Sequence, residues 1–87
     1  MRLYQLCRNA NVVHLDSAYI LFSYNENVGL YTDEDILYLK RGWDKFSVTT
    51  NRHVYKFIST YTTYKVSSKK EVDNLIAQNK IKLVDSF

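Results

Sequence analysis

The stretch Phe46-Ser47-Val48-Thr49-Thr50-Asn51-Arg52-His53 gathers three hydroxyls, an amide, a guanidinium and an imidazole where a strand is expected to run into a helix. A helix N-terminus exposes backbone N–H groups without intrahelical partners, together with the positive end of the macrodipole. These side chains therefore suit helix capping, and they also suit holding a phosphate or carboxylate. Two readings stand side by side. In one, Thr49 and Thr50 cap the helix and Arg52 is solvated; in the other, Ser47, Thr49, Thr50, Arg52 and His53 form a contact site for a partner. His53 has an imidazole that titrates close to neutrality. No Asp or Glu lies near it in sequence to orient the ring, so phosphoester chemistry centred on His53 and Arg52 is the weakest of the functional readings.

A second cluster is Tyr38, Lys40, Trp43 and Lys45. Interleaved aromatic and basic side chains on a sheet suit single-stranded nucleic acid, because bases stack on the rings while cations meet the phosphates. The same residues also suit packing over the edge of the core, or a protein interface. His14, between Val13 and Leu15, reads as a structural histidine, and Cys7 as a small buried hydrophobe. Two histidines and one cysteine make no recognisable metal-ligand spacing, and no cofactor or catalytic motif is present. Asp33-Glu34-Asp35 reads as a solvated turn.

The elements that must position these residues follow from composition and period. At 87 residues the chain is read as one domain, 1–87, which buries only roughly 60–65% of the surface its unfolded chain exposes. Hydrophobic residues make up 46%, with eight Tyr among the aromatics, so disorder is not expected. A single cysteine excludes an intrachain disulfide and suits a reducing compartment. The N-terminus turns polar at Arg8-Asn9 before an apolar leader develops, and no apolar run is long enough to span a bilayer. A cytoplasmic setting without membrane contact is expected. Twelve Lys and Arg against nine Asp and Glu give a net charge of +3, with the cations crowding the middle of the chain.

Alternation predicts a strand over Ala18–Tyr24 with Ile20, Phe22 and Tyr24 on one face, then a loop at Asn25-Glu26-Asn27 and a partner strand over Val28–Thr32. That hairpin sets Val28 opposite Tyr24 and Leu30 opposite Phe22. A second hairpin, Ile36–Lys40 with Trp43–Val48, is expected around Arg41-Gly42, where Gly42 supplies a positive φ. It sets Lys40 against Trp43, Tyr38 against Lys45 and Leu37 against Phe46. Arg2–Leu6 and Val12–Leu15 read as further strands. The period then changes: Val54, Phe57, Ile58 and Tyr61 form one helical stripe, which predicts a helix over Asn51–Thr60. This stripe is expected to bury itself against Ile20, Phe22 and Leu30, or against Leu37 and Phe46. Thr62–Val66 reads as a short strand. Ser68 and Glu71 form a capping box for a second helix with Val72, Leu75 and Ile76 inward, Asn79 is its left-handed stop, and Lys80–Val84 is a last strand with Ile81 and Leu83 inward. The fold class is α+β, an antiparallel β-meander packed against one or two short helices in the rough order β-β-β-β-α-β-α-β.

Ser23-Tyr24-Asn25, Val28, Trp43, Phe46-Ser47, Thr49-Thr50 and Arg52-His53 resemble the pattern of a family of short, largely uncharacterised bacteriophage proteins. In that pattern a Ser-Tyr-Asn segment precedes an aromatic-Ser-x-Thr-Thr-x-basic-His element, and the likeness covers about residues 19–58. Glu26 and Gly29 depart from the family's Thr and Ala. The resemblance implies a viral accessory protein and points to Ser47, Thr49, Thr50, Arg52 and His53. The expectation is a small non-enzymatic phage protein that binds and modulates a host protein or nucleoprotein complex in the host cytoplasm, such as a defence nuclease or the replication or transcription machinery. The alternative is nucleic-acid binding through the basic, aromatic centre. A homodimer is expected on the ground that so small a chain readily shares a strand edge or aromatic face.

Overall fold

The computed structural model describes residues 2–24 and 26–85. The fold is α+β, as its sequence predicts. Five strands run as an antiparallel meander: β1 (Arg2–Cys7), β2 (Ala10–His14), β3 (Ala18–Ser23), β4 (Glu26–Thr32) and β5 (Leu37–Lys40). Two helices follow, α1 (Val48–Tyr61) and α2 (Lys69–Ala77), before β6 (Ile81–Val84) returns to pair in parallel with β5. The order across the sheet is the order in sequence. Both helices pack on one face, over a core of Val12, Leu21, Val28, Leu37, Leu39 and Ile81 from the strands and Val54, Phe57, Ile58 and Val72 from the helices. Phe57 lies close over Gly29, whose missing Cβ would stand 3.5 Å from the ring.

Three turns depend on left-handed backbone. Asn9 (φ 64°), Tyr24 (φ 53°) and Asp35 (φ 64°) reverse the chain between successive strands, and Asn79 (φ 61°) ends the α2 region as expected. Gly42 (φ 86°) does have its expected positive φ, yet the second hairpin does not form. Arg41 N–H donates to the Val84 carbonyl at 2.7 Å, which continues the β5–β6 pairing. After Gly42 the chain tightens into a 3₁₀ turn, Trp43–Lys45, that drives Trp43 into the core at 3% exposure. A single large ring gains more by burial beside Tyr55 than by pairing with Lys40 across a strand. Phe46, expected opposite Leu37, is instead 45% exposed.

The first hairpin forms with the opposite face inward. Leu21 and Ser23 are buried, whereas Ile20 and Phe22 turn away from the helices and Tyr24 is in the turn. Leu30 pairs with Ile20 rather than Phe22, and a bulge between Leu21 and Phe22 displaces Val28 from the expected register. Glu26 and Asn27 belong to β4, and Asn25 lies outside the described residues. Val54, Phe57 and Ile58 are fully buried as their spacing requires, against Leu37 and its neighbours and not against Ile20, Phe22 and Leu30.

The helix is longer than its apolar stripe, because its cap is Ser47 rather than Thr49 or Thr50. Ser47 Oγ accepts the Thr50 backbone N–H at 3.0 Å from an extended backbone, which satisfies one of the orphan donors. Thr62–Val66 is not a strand. Ser59 Oγ donates to the Val66 carbonyl and accepts the Val66 N–H, both at 3.1 Å, so side-chain bonds to α1 replace a sheet ladder. Ser68 caps α2, and Glu71 reaches back to the Ser67 backbone N–H at 3.2 Å.

Candidate functional site

Thr50, His53, Val54 and Phe57 share the face of α1 turned to the sheet, because residues three and four apart stack on a helix. Thr50 and His53 come first, so they meet the end of β3, where the two-residue period places Ser23 inward beside Leu21. The result is a buried polar chain. Ser47 Oγ lies 3.2 Å from Thr50 Oγ1, Thr50 Oγ1 lies 3.0 Å from Ser23 Oγ, and Ser23 Oγ lies 2.7 Å from His53 Nδ1. Ser23, Thr50 and His53 are 2%, 4% and 3% exposed.

Burial holds the His53 pKa below its ordinary 6.5, against the opposing pull of a hydrogen bond to the Arg8 backbone. The imidazole is therefore neutral at pH 7. In the tautomer that carries its N–H on Nε2, Nδ1 is an acceptor, and the three hydroxyls then donate in one direction: Ser47 to Thr50, Thr50 to Ser23, Ser23 to the ring. Every member has a partner, which is the condition for a buried polar network to be tolerated.

Above this chain a hollow of about 390 Å³ opens to solvent. Ser23, Thr50 and Ser47 form its polar side, Thr49 and Glu26 its rim, and Tyr24 and Phe46 its apolar walls. Tyr24 and Phe46 are 51% and 45% exposed, and Val48, on the same helix start, is 68% exposed. The Tyr24 ring also leans on His53, with centroids 5.8 Å apart. Lys40 reaches the rim: its Nζ is 3.5 Å from Glu26 Oε2 and 5.7 Å from the centre of the Phe46 ring.

The expected contact residues are thus partly gathered. Ser47, Thr49 and Thr50 line the hollow, His53 stands behind it, and Lys40 reaches its edge. Arg52 and Lys45 are exposed but do not line it. Of Tyr38, Lys40, Trp43 and Lys45 only Tyr38 and Lys40, two apart on β5, share a sheet face, the one away from the helices, because Trp43 is buried in the 3₁₀ turn that also holds Lys45. Ser23, Tyr24, Glu26 and Phe46 complete the site without having been chosen from sequence for contact. The available signal was Ser23 itself, a hydroxyl at the end of the apolar run Tyr19-Ile20-Leu21-Phe22.

Residues 3–74, from β1 into α2, match a family described as a family of unknown function (DUF8033). The chain belongs to that family. The matched span contains every residue of the hollow and of the chain from Ser47 to His53. No curated protein and no solved structure matches the chain. Among the described residues no three His, Cys, Asp or Glu side chains gather as around a metal ion, and no helix is long and apolar enough to cross a membrane.

Proposed function

We propose that this member of the family is a small, non-enzymatic accessory protein of a bacteriophage that binds a host protein stoichiometrically and modulates or inhibits it in the host cytoplasm. The observation that carries the reading is the hollow at the start of α1. Two exposed aromatic walls over a polar floor can take an apolar side chain of a partner and bond the polar atoms beside it. Interfaces draw most of their energy from such buried anchors at the centre of a contact. The likeness of residues 19–58 to short phage proteins supports the viral setting, and the single cysteine suits a reducing cytoplasm.

Nucleic-acid binding through the central cations is the less supported reading, because the Trp43 ring is buried and offers no face to a base. A capture experiment from host lysate, with wild type run beside Phe46→Ala and Arg52→Ala, tests the proposal. One protein retained by wild type and lost or reduced with Phe46→Ala, at unchanged melting temperature, is expected. Recovery with Phe46→Ala equal to wild type removes the hollow from the interface, and retention that falls steeply with salt and vanishes after nuclease treatment returns the nucleic-acid reading.

A further inference from the structure

The sheet has two apolar faces, and its helices cover one. Leu3, Val13, Ile20, Leu30 and Tyr38 lie side by side in one cross-strand row on the other face, and the row ends at Lys82. Leu3 is 67% exposed, the next four are half-buried, and none of the five belongs to the helical core. The strands themselves lack the alternation of a sheet that faces water on one side. Val12-Val13, Tyr19-Ile20-Leu21-Phe22 and Leu37-Tyr38-Leu39 are continuous apolar runs, the pattern of strands covered on both faces.

We propose that this row seats an amphipathic helix of a protein partner which brings a carboxylate to Lys82, giving the sheet helices on both faces. Size favours that occupant. Strands about 4.8 Å apart make the row about 24 Å long, and with the neighbouring residues along each strand the patch covers on the order of 350 Å². A helix of about 16 residues has that length, and its diameter is about 10 Å. A second copy of the chain would need about 800 Å² from each partner for a standard interface, roughly twice what the patch offers.

Charge points the same way. Lys82 is exposed and takes part in no ion pair among the described residues. The residues that share its face by register, from Leu3 to Tyr38, include no carboxylate, so a stacked copy would leave it unanswered. Single-stranded nucleic acid is disfavoured because four of the five apolar members of the row, Leu3, Val13, Ile20 and Leu30, are aliphatic, so that Tyr38 and the adjacent Phe22 are the aromatic rings offered to a base. The surface is separate from the hollow, and its occupant is argued independently of that reading.

The test is amide and methyl shift mapping by NMR with a synthetic 16-residue helical peptide bearing a leucine stripe flanked by glutamates. The same peptide with lysines for glutamates, and a polythymidylate, serve as controls. Saturable shifts at Val13, Ile20, Leu30 and Tyr38 with the acidic peptide are expected, weakened about tenfold by Lys82→Glu in a variant that melts as wild type does. The absence of such shifts, equal binding of the lysine peptide, or shifts on the row with polythymidylate instead would each overturn the proposal. So would sedimentation showing a dimer in which these positions are protected. Phe46→Ala, which tests the hollow, leaves peptide binding unchanged, so the two proposals fail separately.

Discussion

Ser23 Oγ and His53 Nδ1, thirty residues apart in sequence, stand 2.7 Å apart beneath the start of α1. The contact joins the third strand to the first helix through polar atoms, beside the Ser23–Thr50 pair that links the same two elements. Ser23→Ala leaves the imidazole nitrogen buried without a donor, a loss of about 1–3 kcal/mol. Urea unfolding of this variant is expected to show a lowered midpoint with an unchanged slope.

The same imidazole makes stability depend on pH. Its pKa is depressed in the folded state, so the folded protein resists the proton that the unfolded chain accepts near 6.5. Stability is therefore full above about pH 6.5, falls as pH drops below it, and levels off beneath the folded-state value. Thermal melts from pH 7.5 to 5 are expected to show this decline, and His53→Gln is expected to flatten it.

The cap and the network separate by mutation. Ser47→Ala removes the acceptor of the Thr50 N–H and is expected to cost about 1 kcal/mol. Arg52→Ala touches neither and is expected to lie within about 0.5 kcal/mol of wild type. Chemical denaturation of the two variants side by side checks the ordering.

Phe57→Ala empties the centre of the core and is expected to cost about 3–5 kcal/mol, a large part of the stability of so small a domain. Gly29→Ala, directly under the ring, places its Cβ at 3.4 Å from Leu21 Cβ and 3.5 Å from Phe57, at the near edge of ordinary contact. It is expected to fold and to melt within a few degrees of wild type.

Tyr31 donates to the Asp35 carboxylate, and that bond pushes its pKa up to about 12. A spectrophotometric titration is expected to leave Tyr31 un-ionised well above pH 10, with Tyr55 and Tyr61, raised by burial, also above the ordinary range. Asp35→Asn is expected to return Tyr31 towards the ordinary range.

The elements were largely legible in the sequence, and the orientation of one of them was not. Period and capping chemistry locate the meander, both helices and the last strand, with Asn79 and Gly42 at left-handed positions. Alternation failed in β3 for a physical reason: Ile20 and Phe22 are as apolar as Leu21, so period 2 finds two equally good faces and cannot tell which one the helices cover. The second hairpin failed because Gly42 licenses several turns, and a buried Trp43 and a Ser47 cap then outweigh strand propensity. The site was half legible. Ser47, Thr49 and Thr50 announce themselves beside a helix start, but Ser23 joins them only through the pairing of distant segments.

The chain of hydroxyls from Ser47 to His53 has a sense of direction, and that sense is reversible. With a proton on Nδ1 the ring becomes a donor, Ser23 must turn its hydrogen to Thr50, and Thr50 must turn its own to Ser47. Ser47 Oγ, already accepting the Thr50 amide, then releases its hydrogen towards the hollow. One buried proton thus rewrites the polarity of a surface three side chains away, with no atom of the backbone displaced.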